Sequence, residues 1–152
     1  MPAHPLPATA LKACISPWLQ EAFSAENINA QHFIDRFVQW KHSGEDESYF
    51  FGKDALNLHS CMVRHVHMVP ISTPNALAAW DTNWQRRRKR VSDRFLFYVD
   101  GGRHGYLLLY IVNDPGAHEF LSSKDSANQA VQRVIQVMAD EFYHFGTVAQ
   151  RA

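Results

Sequence analysis

The stretch FLFYVDGGRHGYLLLYIV, residues 95–112, holds two apolar runs on either side of GGRHG. Aromatic and branched residues dominate both runs, which suits a pleated, buried surface and predicts two strands, FLFYVD and GYLLLYIV. The glycines between them reach backbone angles that branched residues resist, so a hairpin is the economical connection. Working outward, MVRHVHMV at 62–69 reads as another strand. Alternation puts Met62, Arg64, Val66 and Met68 on one side and Val63, His65, His67 and Val69 on the other. Pro70 and Pro74 then interrupt regular structure.

Helical signals flank these strands. In SAENINAQHFIDRFVQWKHSG, residues 24–44, Ser24 is a cap, Phe33, Phe37 and Trp40 form a core-facing stripe, and Gly44 is a stop. Near the end, AVQRVIQVMADEFYHF places Val131, Val134, Ile135 and Met138 on one helical side, with Ser126 as cap and Phe142 and Phe145 extending the stripe. The apolar patch from Leu11 to Ile15 reads as a short strand or a ragged helix, and NALAAWDTNWQRRRKR as a long loop containing at most a helical turn. The order predicts an α+β fold, a small antiparallel sheet with helices packed mainly on one face. With no repeat and no linker, one domain is expected over 1–152, with a flexible start at 1–8 and a flexible end at 147–152.

Fifteen basic and fifteen acidic side chains cancel over the 152 residues, yet residues 80–94 carry six basic and two acidic ones, a local excess of +4. Adjacent cations repel and call for solvent, an anion or a polyanionic partner. Cys14 and Cys61 make neither a metal-ligand set nor a disulfide scaffold. No apolar run reaches the roughly 18 residues of a membrane span, and the start, with Pro2, Pro5 and Pro7, lacks the plan of an export signal. A cytoplasmic protein that uses no membrane is expected.

Several residues carry possible chemistry. His65 and His67 share a strand face and form either a phosphate-binding or acid-base pair or ordinary polar side chains; no third metal ligand lies nearby. Arg86, Arg87, Arg88, Lys89 and Arg90, with Trp84 as a stacking surface, suit an RNA backbone and equally an acidic protein. Consecutive side chains cannot all converge on one phosphate, so with a polyanionic partner the five would position its negatively charged surface, and without one they form a solvated loop. Arg94, held at the start of FLFYV, is the better candidate for the scissile phosphate. Asp114 is an accessory acid-base candidate or a turn cap before Pro115 and Gly116, and His118 a surface or site residue.

FGKDAL, RHVHM, RVSDRFLFYVDG and GYLLLYIVNDP, then DSANQ and the last amphipathic helix, resemble the YafO family of bacterial toxins. ALKAC and QHFIDRFVQWKHSG fall in the same order, so the resemblance covers nearly the whole chain. It implies a ribosome-dependent endoribonuclease with a RelE-like fold, cleaving mRNA on the 70S ribosome and inhibited by a cognate antitoxin, without cofactor or metal. An antitoxin surface over residues 86–94 is the expected mode of inhibition. Near the chain end, Tyr143 and His144 are candidates by position. The resulting expectation is metal-independent acid-base cleavage shared among His65, His67, Arg94, His118 and His144. The alternative is a noncatalytic ribosome- or nucleic-acid-binding inhibitor of translation.

Overall fold

The computed structural model describes residues 12–43, 48–56 and 62–148. Leu11, Gly44, Cys61, the expected flexible start at 1–8 and residues 149–152 lie outside them; Val148 packs against the core. Five strands form one mixed sheet in the order β1-β5-β4-β3-β2: β1 Ala13–Ile15, β2 Phe51–Leu56, β3 Val63–Met68, β4 Phe95–Asp100 and β5 Tyr106–Val112. Neighbours pair antiparallel except β1, which runs parallel to β5. Among the described residues the α-helices are α1 Pro17–Ala25, α2 Ala30–Ser43, α3 Pro74–Arg87, α4 Ala117–Ser122 and α5 Ser126–Phe145.

The α+β class stands, but helices cover both sheet faces rather than mainly one. The reason is legible in β4, where all residues from Phe95 to Val99 are at most 1 % exposed. Phe95, Phe97 and Val99 pack with α4 and α5, whereas Leu96 and Tyr98 pack with α1 and α2. A strand buried on both sides is apolar throughout instead of alternating. In β5 a register shift leaves Leu109 unpaired between Tyr98↔Leu108 and Phe97↔Tyr110, so Leu109 and Tyr110 both meet the α5 side. Ser16 ties this bulge to α1: its Oγ donates to the Leu109 carbonyl at 2.6 Å and accepts from Leu19 N–H as the helix cap.

The predicted helix over 24–44 divides in two. Asn27 stands at a positive φ of 58°, and Asn29 Oδ1 accepts from His32 N–H to begin α2, so Ser24 belongs to the last turn of α1. Asp125, not Ser126, caps α5. The predicted long loop at 75–90 is mostly α3, started by Thr73 and Pro74 and anchored by the fully buried Trp80, whose Nε1 donates to the Tyr49 carbonyl. That single anchor lacks the repeating stripe on which a helix reading rests.

On the α2 side a buried carboxylate joins four elements. Asp54 accepts from the Tyr98 hydroxyl at 2.7 Å and pairs with Arg64 and Lys41 at 3.2 and 3.4 Å; Lys41 also donates to the Tyr98 oxygen at 2.7 Å. Burial first, and then Asp54, push the Tyr98 phenol well above its ordinary range. Removing one partner of such a group strands its buried charges. Asp54→Ala is expected to lower stability by about 3 kcal/mol or more, read from urea midpoints. A loss within about 0.5 kcal/mol would show that the network contributes little.

Candidate active site

Between the α5 side of the sheet and the helices lies a groove of about 1240 Å³, lined among others by Lys53, His65, His67, Asp93, Phe95 and His118. β3 sends His65 and His67 to the face of Val63, as alternation requires. The centroid separations are 6.2 Å between His65 and His67 and 5.6 Å between His67 and His118, with His67 central. All three rings rest on Phe95, at 4.7, 4.6 and 4.8 Å.

His118 is held by Asp93, just before β4. The carboxylate accepts from Gly116 N–H at 2.6 Å and His118 N–H at 2.8 Å, and lies 2.7 Å from His118 Nδ1. The Asp93 carbonyl accepts from Ala117 N–H. Burial pushes the Asp93 carboxyl up, but bonds from His118 and Gly116 outweigh it and hold the acid below its ordinary value. A carboxylate on Nδ1 favours the proton there and leaves Nε2 as the working nitrogen. His67 has the opposite tautomer: its Nδ1 accepts from Ser92 N–H at 2.9 Å, which places the neutral ring's proton on Nε2. Burial foremost, then the charges of His118, His65 and Lys53, hold the His67 pKa down to about 4. His65 is lowered too, again chiefly by burial.

The groove therefore gathers His65, His67 and His118 from the sequence candidates, and adds Asp93 and Lys53. Asp93 sits within RVSDRFLFYVDG and Lys53 within FGKDAL, but neither presents a spacing that marks chemistry. The other candidates lie elsewhere. Arg94 is outside the groove lining; its Nε donates to Asn113 and its Nη1 to the Val69 carbonyl. His144 and Tyr143 are exposed in the last turn of α5 and also lie outside the lining. Asp114 accepts from Ile71 and Ser72 N–H, bracing the loop before α3.

Arg86, Arg87, Arg88 and Lys89 are exposed, with Arg88 ending α3 at φ 54°. Arg90 is half-buried: it donates to the Ser48 carbonyl and lies 4.3 Å from the Trp84 ring centroid, while Arg88 lies 5.4 Å from that centroid. Trp84 thus packs with the basic run's own guanidiniums. Among the described residues no group of three or more His, Cys, Asp or Glu side chains is placed to hold a metal ion.

The architecture is that of an α+β protein with a histidine-lined groove. A family model described as "Toxin YafO, type II toxin-antitoxin system" matches residues 38–144, and the chain belongs to that family. This makes it the toxin of a type II toxin-antitoxin system, with a cognate antitoxin as partner. No curated protein and no solved structure matches it. No helix among the described residues is long and apolar enough to cross a membrane.

Because His67 is harder to protonate in the fold than in the unfolded chain, where its pKa is 6.5, the unfolded state binds more protons between pH 6.5 and 4. The His67 contribution is intact above pH 6.5 and falls by about 2 kcal/mol by pH 5. His67→Gln, followed by urea unfolding at pH 7 and 5, is expected to flatten the pH dependence by about that amount. Identical pH slopes for the two proteins would contradict a buried neutral His67.

Proposed function

We propose that this toxin is a ribosome-dependent endoribonuclease of the RelE-like kind, acting in the cytoplasm on mRNA held by the 70S ribosome. The observation that carries the reading is the His65, His67 and His118 row over Phe95, with Asp93 behind His118 and Lys53 in the same groove. His118 Nε2 takes the proton of the RNA 2′-hydroxyl while Asp93 stabilises the resulting imidazolium. The 2′-oxygen attacks the adjacent phosphorus, and the bond to the 5′-oxygen breaks. Lys53 and the His67 Nε2–H meet the charge that develops on the phosphoryl oxygens. His65, in its less populated but more acidic protonated form, supplies the proton to the departing 5′-oxygen. The products are a 2′,3′-cyclic phosphate and a 5′-hydroxyl end.

Arg86, Arg87, Arg88 and Lys89 then serve as solvent-facing contacts to ribosomal RNA or messenger phosphates. Their charge also suits an acidic surface of the antitoxin. Arg90 and Trp84 hold the shape of that segment. Arg94, tied to Asn113 and Val69, has no place in this reaction.

Messenger 5′ ends mapped on purified translating ribosomes, with and without the protein, test the reading. New 5′-hydroxyl ends are expected with the wild type, and folded His118→Ala is expected to produce them at least about 100-fold more slowly. Arrested translation with intact messenger would support the noncatalytic binder instead.

A further inference from the structure

The groove extends well beyond the histidines, and one flank of α5 borders it. Gln129, Gln132, Arg133 and Gln136 all line it. Their spacing of three, four and seven residues from Gln129 puts them on one helical face, beside the core stripe of Val131, Val134, Ile135 and Met138. This flank brings three neutral amides and one guanidinium to the groove, groups with several hydrogen-bond donors and acceptors. Two amides are tied through their nitrogens. Gln132 Nε2 donates to the Phe120 carbonyl at 2.7 Å and Gln136 Nε2 to Asp140 Oδ1 at 2.8 Å. Each amide therefore keeps its carbonyl oxygen as an acceptor for another partner. The surrounding walls are apolar: Leu56, Val63, Phe97, Phe120, Leu121 and Ile135.

We propose that this flank is a nucleobase subsite, taking one base of the single-stranded messenger beside the bond that is cut and favouring bases that carry an exocyclic amino group. The inference rests on the ribonuclease reading above. Single-stranded RNA is read by unstacking a base against apolar or aromatic side chains and by hydrogen bonding its exposed edge. An apolar groove opening from a phosphate-handling end fits that geometry. The amide oxygens of Gln132 and Gln136 accept from an exocyclic amine, which adenine, cytosine and guanine present and uracil lacks. Uracil offers carbonyl oxygens at the corresponding positions, and opposing acceptors repel. The Arg133 guanidinium supplies donors to ring nitrogen or carbonyl acceptors, as arginine does with guanine. Gln129, one turn before Arg133, adds a further amide at the rim.

The experiment is the base composition around each mapped messenger end, normalised to every protein's own total of cuts. Wild type is compared with Gln136→Leu and with Gln129→Leu/Gln136→Leu, each first shown to unfold at the wild-type urea midpoint. Gln132 is left in place because it also braces α4 through Phe120. The wild type is expected to disfavour uracil at one fixed position near the cut. In the double variant that bias should shrink about fivefold or more, the value of a hydrogen bond made to a buried polar edge. Wild-type cutting with no base bias, an unchanged bias in the double variant, or a folded double variant that never cuts would each overturn the subsite. If the wild type leaves every messenger intact, the ribonuclease reading falls and the subsite falls with it, an outcome distinct from cutting without discrimination.

Discussion

Burial of β4 on both faces is the constraint from which the rest follows. A central strand with Phe95, Leu96, Phe97, Tyr98 and Val99 all withdrawn from water needs cover above and below. The aromatic stripe of α2 supplies one cover: Phe37 meets Phe51, Tyr98 and Tyr106 at 5.9, 5.0 and 5.3 Å. On the other face α5 brings Ile135, Met138, Ala139 and Phe142. α5 packs on β5, β4 and β3, and the groove lies between it and β2, lined by Lys53, Ala55 and Leu56 on the strand side. The site is thus the unfilled margin of a core, which explains why its walls are apolar and why His65 and His67 are desolvated while His118 stays exposed.

That placement sets the electrostatics of the groove. Asp93 lies where the chain enters β4, and its carbonyl and both carboxylate oxygens accept from Gly116, which caps α4, and from Ala117 and His118, which begin it. The strand start and helix start are thereby locked together, with His118 brought over Phe95. Burial raises the cost of charge at His67 and His65, while hydrogen bonds lower it at Asp93. One neighbourhood therefore holds an ionised carboxylate beside neutral imidazoles.

Much of this was legible in the residues. The hairpin at 95–112, the strand carrying His65 and His67 on one face, and the terminal helix all follow from local pattern. What escaped has a physical cause in each case. A helix with one buried tryptophan has no periodicity to find, so α3 read as loop. Helices on both faces were implied by the missing alternation in FLFYV, since a strand buried on both sides is apolar throughout. Arg94 drew notice by its charge and its place at the start of FLFYV, whereas its partners Asn113 and Val69 lie 19 and 25 residues away. Asp93 was missed for the same reason in reverse: its value comes from residues 116–118, which only the fold brings to it.

The central claim is that Asp93 makes His118 a base, and single-turnover cleavage by Asp93→Asn on ribosomes saturated with protein tests it most directly. An amide retains the shape and one of the two acceptor oxygens that hold the Gly116 and His118 N–H groups, but it cannot stabilise an imidazolium as a carboxylate does. The account predicts normal ribosome association with a cleavage step slowed about 100-fold or more, not restored by adding protein. A folded Asp93→Asn toxin that cleaves at the wild-type rate would contradict it.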